Sequence, residues 1–391
     1  MAFDKEKNEI RTHLTTQLLP FWEKLKDETF RGYYGRVEAD GTIVKDAYRG
    51  GVLNSRILWF FSNAYLTLKD ERYLEDAQHS FDFLKYCFYD SRYGGTIWSV
   101  NFNGTKLDTQ KQIYNQAFAI YGLSSYYDAS KDVQALHLAI GLFQKIENFM
   151  RDENGYLETF ARDFTPVEDT KLSPRGLNAK RTMNSLLHLM EGYTELYRVS
   201  RYGEVAARLR EMLDILHDHV YNPEKHRLEC FFDLDYNSLK DEHSFGHDIE
   251  ASWLVDRTLK ILDDPAYTKK IRPLLEDIFA CSMKEGFTGS WLMEGCFDGK
   301  VDNGAGWWSQ GELIVALLNA WQKDPAHTEY LEQASAVWAY IKENLIDSEH
   351  GGEWRPAGPK DGVVCTRPLV SEWKCPYHNG RMCFEVINRL G

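Results

Sequence analysis

The chain has 391 residues, of which 43% are hydrophobic and 14% aromatic, enough for a packed interior. Its net charge of −13 disfavours a nucleic-acid partner, because binding to phosphate backbones depends on basic surface. No apolar run approaches the ~20 residues of a transmembrane helix, and the N-terminus lacks the apolar stretch of a secretory signal. Seven scattered cysteines without a Cys-x-x-Cys pair are typical of reduced thiols, so we expect a cytoplasmic protein with no membrane association.

An internal repeat indicates how the chain is organised. Although the length would allow two or three domains, short glycine-and-aromatic or strand-like segments recur at intervals of roughly 60–70 residues. They begin at Gly32, Gly94, Gly155, Arg227, Gly289 and Gly352. Each has the composition of a tight turn followed by a short strand. We therefore predict a single domain over residues 1–391, built from six units.

Two helical patterns lie between successive segments. The first is apolar around its whole circumference, which indicates a buried helix, and begins near Leu53, Thr109, Arg181, Gly246, Trp307 and Tyr377. The second is amphipathic and begins near Tyr73, Val133, Glu204, Tyr267 and Tyr330, while Glu9 to Leu25 supplies the sixth. This predicts an all-α fold, an (α/α)6 barrel with short β-strands in the loops at its mouth. An open stack of helical hairpins is the alternative.

The start of each inner helix is where we expect the functional site. Inner helices of such a barrel run in the same direction, so their N-termini and unpaired N–H groups gather at one end. Polar and aromatic residues at the starts of these otherwise apolar helices are Asn54, Arg56, Lys111, Tyr114, Asn184, His188, His247, Glu250, Trp307, Trp308, Trp373, His378 and Arg381.

These residue types suit a sugar. Indoles, phenols and amides bind neutral polyols, and imidazole titrates near neutrality, where proton transfer is most efficient. We predict that His247 and His378 form an acid/base pair that acts on a carbon next to an aldehyde. Arg56 and Tyr114 are candidate donors to the oxyanion that develops, and Glu250 is expected to fix an imidazole tautomer.

Three other interpretations remain open. His243, His247 and Glu250 could form a metal site, but Phe245 and Gly246 place His243 before the helix and no HExxH motif exists, so we expect no metal. Asp108, Asp248 and Glu250 keep an inverting glycosidase in view. A non-catalytic sugar-binding toroid gives no reason for histidines among the aromatics. No phosphate loop or dinucleotide fingerprint occurs, so we expect no cofactor.

Several motifs connect the chain to a known family. They are Asn54-Ser55-Arg56-Ile57-Leu58-Trp59-Phe60, Ser244-Phe245-Gly246-His247-Asp248-Ile249-Glu250-Ala251, Trp373-Lys374-Cys375-Pro376-Tyr377-His378-Asn379-Gly380-Arg381, and Thr182-Met183-Asn184 with His188. With these motifs the chain resembles the N-acylglucosamine 2-epimerase superfamily, most closely its cellobiose 2-epimerase branch, nearly from end to end.

The resemblance implies an α6/α6 barrel and cofactor-free epimerisation at carbon 2 of the reducing-end glucose of cellobiose- or lactose-type β-1,4 disaccharides. The pyranose would open, carbon 2 would lose its proton to give a cis-enediolate, and reprotonation would give the mannose epimer. The resemblance implies that His247 and His378 are the acid/base pair and that His188 assists at ring opening or sugar binding. It also implies that the sugar or the histidines are held by Arg56, Tyr114, Asn184, Glu250, Trp308 and Trp373, to which we add Trp307.

Two segments depart from the pattern we expect of that branch. Gly295–Gly306 is rich in glycine, and Ser309-Gln310-Gly311-Glu312 differs from the expected sequence; we expect both to lie where a second sugar unit would sit. A monosaccharide (mannose/glucose or N-acylglucosamine) 2-epimerase or an aldose–ketose isomerase therefore stays open. The expected partner is a small sugar, and the expected assembly is a monomer or homodimer.

Overall fold

The computed structural model describes residues 3–167 and 177–391. Its helices are α1 (Asp4–His13), α2 (Leu19–Glu23), α3 (Gly51–Leu68), α4 (Glu71–Phe83), α5 (Ile113–Ser130), α6 (Val133–Phe149), α7 (Met183–Ser200), α8 (Gly203–Ile215), α9 (Phe245–Leu262), α10 (Pro265–Gly286), α11 (Trp307–Lys323), α12 (Glu329–Asn344) and α13 (His378–Arg389). A π-helical turn (Leu14–Leu18) joins α1 to α2, and similar turns extend α4 (Leu84–Phe88) and α8 (Leu216–Val220).

The strands are short. They are β1 (Arg49–Gly50), β2 (Ser99–Val100), β3 (Lys106–Asp108), β4 (Lys111–Gln112), β5 (Thr159–Phe160), β6 (Arg181–Thr182), β7 (Tyr221–Asn222), β8 (Arg227–Leu228), β9 (Phe231–Phe232), β10 (Glu242–Ser244), β11 (Gly295–Phe297) and β12 (Lys300–Asp302).

Six helices form a closed inner ring. In the order α3, α5, α7, α9, α11 and α13, each packs against the next, and α13 packs against α3. The outer helices α4, α6, α8, α10 and α12 each pack on the inner helix that precedes them, and α1 packs on α13. This confirms the predicted (α/α)6 barrel, and the contact between α13 and α3 rules out the open stack.

Burial follows the two helical patterns of the sequence. The inner helix α3 buries every residue from Gly51 to Ser62, and α5 buries every residue from Ile113 to Tyr126. The outer helix α6 buries a single stripe instead, Ala135, Ala139, Leu142, Phe143 and Ile146. The apolar stripe of an amphipathic helix covers the inner ring from outside, so the core lies between the two layers.

Inner and outer helices are joined by tight turns at the end of the barrel opposite the mouth. The residue after α3, α5, α7 and α9 adopts a left-handed conformation in each case: Lys69, Lys131, Arg201 and Asp263. An aspartate then caps the outer helix after three of these turns, at Asp70, Asp132 and Asp264. A left-handed residue ends one helix and an N-cap carboxylate begins the next, so two residues suffice for the reversal.

The longer loops at the other end carry the strands. β1, β4, β6 and β10 lead directly into α3, α5, α7 and α9, and each pairs with a strand from the loop of the following unit, β2, β5, β9 and β11 respectively. These pairings fix the positions at which four inner helices begin. None of the described helices has the length and apolar character that a membrane crossing requires.

The predicted helix starts differ from the structure by more than two residues in two places. α5 begins at Ile113 rather than near Thr109, because Lys111 and Gln112 pair with β5 as strand β4. The first outer helix begins at Asp4 rather than Glu9.

Candidate functional site

A cavity of about 520 Å³ lies at the end of the barrel where the inner helices begin. It is lined by all ten residues predicted as catalytic or substrate-binding: Arg56, Tyr114, Asn184, His188, His247, Glu250, Trp307, Trp308, Trp373 and His378. Six further residues complete the lining, Glu294, Pro356, Arg367, Pro368, Ser371 and Lys374. The helix starts therefore do gather the predicted residues, while the role of each stays a prediction.

His378 is the first residue of α13 and is held by a carboxylate. Its Nδ1 lies 2.7 Å from Oε1 of Glu312 on α11 and 3.8 Å from Oε1 of Glu250 on α9. Burial and the nearby Arg381 and Arg56 hold the pKa of His378 well below its usual value. The imidazole is therefore neutral near pH 7, a state that can accept a proton.

His247 is the third residue of α9 and is held by a hydroxyl instead. Its Nδ1 lies 2.7 Å from Oγ of Ser244. Burial, together with the nearby His188, lowers the pKa of His247 to about 3. The indole of Trp308 contacts both rings, with centroid separations of 4.8 Å to His247 and 5.5 Å to His378, so the two imidazoles approach the same part of the cavity.

The third histidine follows the same pattern. His188 Nδ1 lies 2.9 Å from Oε2 of Glu191, one turn along α7, and its Nε2 lies 3.9 Å from Oε2 of Glu250. All three histidines thus use Nδ1 for a protein partner. Within the described ranges no protein atom hydrogen-bonds Nε2 of His247 or His378, which leaves these nitrogens available to a ligand.

Beneath the histidines lies a buried ion cluster centred on Arg381. Its guanidinium donates to Glu191 and Glu312, at 2.6 Å each, and also to Glu250 and the Tyr377 hydroxyl. Burial opposes the ionisation of Glu191, but Arg381 and His188 outweigh it and hold its pKa at about 2. Burial raises the pKa of Glu250 and of Glu312 to about 7. Four inner helices, α7, α9, α11 and α13, meet through this one cation.

Arg56 is a buried cation that contacts a phenol and aromatic rings. Its Nη2 donates to the Tyr114 hydroxyl at 2.8 Å, and its guanidinium lies 4.0 Å from the ring centroid of Phe118 and 4.4 Å from that of Tyr377. No Asp or Glu oxygen of residues 3–167 and 177–391 lies within 4.0 Å of it. A guanidinium and a phenol side by side at a cavity wall can stabilise a developing oxyanion.

Aromatic rings form the rest of the wall. Trp373 is 40% exposed and lies 5.7 Å from the ring centroids of both Trp98 and Tyr114. Lys374 Nζ lies 4.1 Å from the centroid of Trp307 and is held at 2.6 Å by the buried Glu353. Such surfaces suit the apolar faces of sugar rings.

Comparison with known proteins identifies the family. Residues 32–379 match the sequence model of N-acylglucosamine 2-epimerase (GlcNAc 2-epimerase). The chain belongs to the N-acylglucosamine 2-epimerase family. It is 43% identical to a cellobiose 2-epimerase of Eubacterium cellulosolvens, over 97% of this chain and 98% of the relative.

Solved structures of related proteins have the same fold. A sugar epimerase from a ruminal bacterium superimposes with a TM-score of 0.96 at 42% identity, over 98% of this chain and 99% of that one. The cellobiose 2-epimerase of Bacillus thermoamylovorans B4167 superimposes with a TM-score of 0.94 at 38% identity, over 99% and 100% of the two chains.

Some residues that were candidates by position do not line the cavity of this epimerase-family protein. Asn54 donates to the Gly50 carbonyl at 2.8 Å, and Lys111, on strand β4, lies 3.5 Å from the buried Asp90. Arg381 lies below the cavity, in the ion cluster. Trp373 lies in the loop before α13 rather than at a helix start, yet its ring lines the cavity.

Three residues of the alternative interpretations, Asp108, His243 and Asp248, lie outside the cavity. Asp108 accepts from the Gln110 amide at 3.0 Å, and His243 and Asp248 hydrogen-bond to each other at 2.9 Å. Neither aspartate lines the cavity with Glu250, so the carboxylate pair proposed for a glycosidase is not formed. His243 does not join His247 and Glu250, so the metal triad weighed from the sequence is not formed either.

Sequence reasoning also misplaced one segment and missed three partners. Ser309, Gln310 and Gly311 are buried inside the barrel and do not line the cavity. Ser309 donates to the Gly306 carbonyl, and Gln310 hydrogen-bonds to the backbone of Leu292. Glu191, Glu312 and Ser244, which hold the three histidines, were not predicted. The pattern that could have revealed the glutamates is a carboxylate on an otherwise apolar inner helix.

Proposed function

We propose that this chain is a cofactor-free 2-epimerase that converts the reducing-end glucose of cellobiose, or of a related β-1,4 disaccharide, into its mannose epimer. The observation that carries the proposal is the pair His247 and His378 in one cavity beside the buried Arg56. Both imidazoles have a lowered pKa, and neither Nε2 has a hydrogen-bond partner among the described residues. The cellobiose 2-epimerase name of the relative at 43% identity supports the choice of disaccharide.

In the proposed reaction the sugar first opens to its aldehyde form, with His188 assisting the proton transfer from the anomeric hydroxyl to the ring oxygen. One of the two neutral imidazoles then accepts the proton of carbon 2. The electron pair of that C–H bond forms a double bond between carbons 1 and 2, and negative charge develops on the carbonyl oxygen. Arg56 and Tyr114 are placed to stabilise that charge.

Inversion requires the proton to return to the other face. The cis-enediolate turns about the bond between carbons 2 and 3, which presents its opposite face to the second imidazole. The negative charge of the enediolate favours protonation of that imidazole by solvent, and it delivers the proton to carbon 2. Ring closure releases the epimer. Delivery to carbon 1 instead would give a ketose.

Product analysis tests the proposal. The purified protein is incubated with cellobiose, mannose and N-acetylglucosamine, and the sugars are separated by chromatography. We expect the mannose epimer of cellobiose as the principal product. A ketose product would show an aldose–ketose isomerase instead. Turnover of the monosaccharides alone would show that the disaccharide is not the substrate. Release of free glucose from cellobiose would show a glycosidase.

Because no proposed step uses a metal, turnover is expected to be unchanged after dialysis against EDTA. The rate with cellobiose before and after dialysis checks this. Loss of turnover in chain that stays folded after dialysis, restored by added zinc, would contradict the mechanism.

A further inference from the structure

A second group of chemically reactive side chains lies apart from the cavity, between β10 and the outer helix α10. His243 lies on β10, and Cys281 and Glu285 lie four residues apart on one face of α10. One ligand atom from each of the three residues falls within 4.8 Å of the others. None of the three lines the cavity, and the proposed reaction uses none of them.

Asp248 fixes the orientation of the His243 ring. Its Oδ2 lies 2.9 Å from Nε2 of His243, and its Oδ1 accepts from the Leu228 amide at 3.3 Å. An ionised Asp248 therefore accepts a hydrogen bond from Nε2–H of His243, and in this tautomer the ring's lone pair lies on Nδ1. A carboxylate behind one imidazole nitrogen, with the other nitrogen free, is the usual arrangement around metal-binding histidines.

That arrangement brings two acceptors face to face. His243 Nδ1 lies 3.4 Å from Oε2 of Glu285, and neither a neutral Nδ1 nor a carboxylate carries a hydrogen to donate. In the described part of the chain no lysine or arginine pairs with Glu285. A metal ion bound by both atoms would satisfy the two acceptors together.

The thiol of Cys281 lies in the same negative surroundings. Cys281 is partly buried, and the carboxyl groups of Glu285, Asp248 and Asp277 lie near its sulfur. Asp277 is already engaged by Tyr221 and His226, so it does not compete for the position between the three side chains. A divalent cation would offset this concentration of negative charge.

We propose that His243, Cys281 and Glu285 bind a zinc ion, with water as the fourth ligand. Imidazole nitrogen, thiolate sulfur and carboxylate oxygen are the ligand set of zinc, whereas calcium and magnesium take oxygen ligands. Tetrahedral zinc with bonds of 2.0–2.3 Å separates its ligand atoms by roughly 3.5 Å. The His243 Nδ1–Glu285 Oε2 separation of 3.4 Å already matches that spacing, and all three ligand atoms lie within 4.8 Å of one another.

Binding would connect two layers of the barrel. The thiol proton is released to solvent as the zinc–sulfur bond forms, so the affinity rises with pH. The ion would link β10, which leads into α9 and its His247, to the outer helix α10. A ligand that binds only the folded state stabilises it, so zinc is expected to raise the melting temperature.

The test titrates the chelator-treated full chain with cobalt(II), which reports thiolate coordination through a charge-transfer absorption band. We expect one equivalent to bind with this band. Cys281→Ser should abolish the band and lower the affinity for zinc at least about ten-fold, and the exposed Glu285→Gln should weaken binding. Cys87→Ser, a half-buried thiol elsewhere in the barrel, is the matched control and should bind as the unaltered chain does.

A cobalt spectrum without the thiolate band would overturn the proposal, as would a band that survives Cys281→Ser. Melting curves supply an independent readout. Zinc should raise the melting temperature of the unaltered chain and of Cys87→Ser, and it should leave that of Glu285→Gln nearly unchanged. Because Glu285 is half exposed, that variant is expected to fold, and an equal zinc-induced rise in its melting temperature would overturn the proposal.

Discussion

At the scale of single residues, the two cavity histidines differ in the group that holds them. His378 faces the carboxylate of Glu312, whereas His247 faces the hydroxyl of Ser244. A carboxylate stabilises an imidazolium far more than a hydroxyl does, because its hydrogen bond becomes charge-assisted. In the proposed reaction, His378 would therefore hold the proton taken from carbon 2 more readily, and His247 would return to the neutral form more readily.

Replacing either histidine should remove the proton transfer and spare the fold. His247→Ala and His378→Ala are each expected to lower kcat by ~10²–10⁴-fold, the usual contribution of a general acid or base. Steady-state kinetics with cellobiose measure the loss, and His327→Ala, which removes an exposed histidine far from the cavity, is the control. Full activity in either cavity variant would contradict the assignment of that histidine as an acid/base group.

Glu312 predicts the acid side of the pH profile. Burial raises its pKa to about 7, so it gains a proton as the pH falls through that value. A protonated Glu312 donates to Nδ1 of His378, which moves the imidazole hydrogen to Nε2 and removes the base. We therefore expect kcat/KM to fall as the pH drops below about 7. In Glu312→Gln the decrease over the same pH range should be smaller.

The measurement is kcat/KM for the disaccharide across pH in the unaltered chain, Glu312→Gln and the control Glu329→Gln, whose carboxylate is exposed. The control should keep the profile of the unaltered chain. If kcat/KM of the unaltered chain were constant from about pH 5 to pH 8, no group with a pKa near 7 would control the catalytic base, and the prediction would be wrong.

At the scale of elements, glycines set how closely the inner helices approach. A Cβ at Gly192 on α7 would lie 2.7 Å from the carbonyl oxygen of Ala117 on α5, and one at Gly122 on α5 would lie 2.6 Å from that of Ser55 on α3. Both contacts are with backbone, which cannot move aside as a flexible side chain would. The close spacing of α3, α5 and α7 thus depends on glycine, which has no side chain, at positions 122 and 192.

Gly192→Ala and Gly141→Ala should have opposite effects on stability. The first forces apart two helices and is expected to destabilise by roughly 1–3 kcal/mol. Gly141 lies in the outer helix α6, where a Cβ would have no atom within 4 Å, so alanine there should stabilise by up to about 1 kcal/mol. Urea denaturation measures both, and equal effects of the two substitutions would contradict the close-contact argument.

The sequence predicted the helices better than their boundaries. All-round apolar patterns located the inner helices and amphipathic patterns the outer ones, because burial on all sides and burial on one stripe leave different periodicities. Those patterns do not distinguish a helix from the short strand before it, so Lys111 was assigned to a helix although it lies in β4. The strand forms through pairing with β5, a contact between distant residues.

At the scale of the whole molecule, the Arg381 cluster connects four of the six inner helices below the cavity. Its carboxylates come from α7, α9 and α11, and the arginine comes from α13. The same glutamates hold His188 and His378, so the contacts that join the barrel also orient the proposed catalytic groups.

Arg381→Met should therefore weaken both the fold and the reaction. Removing one partner of a buried ion pair typically costs ~3–5 kcal/mol, because the remaining charges stay buried. Urea denaturation gives the loss of stability, and turnover of the folded fraction gives the loss of activity. Arg72→Met removes an exposed pair with Asp70 and should change the stability far less, because solvent screens exposed ion pairs. An equally small change in Arg381→Met would disprove the cluster's role.

The location of the site was predictable from the sequence, but its internal contacts were not. A common helix direction puts all inner N-termini at one end, so residues such as His188 and Tyr114 could be placed at the mouth from the sequence alone. The side on which Glu191 or Glu312 projects depends on the rotation of each helix, which packing against neighbours decides. The single-domain extent, the monomer or homodimer and the cytoplasmic location stay predictions.

The central claim is that His247 and His378 exchange the proton of carbon 2 with solvent. Incubation with cellobiose in deuterated water, followed by NMR of the sugars, tests it most directly. We expect deuterium at carbon 2 of the epimer formed by the unaltered chain. We expect almost no deuterated epimer with His247→Ala or His378→Ala. An epimer whose carbon 2 keeps its original hydrogen, or undiminished labelling in either variant, would contradict it.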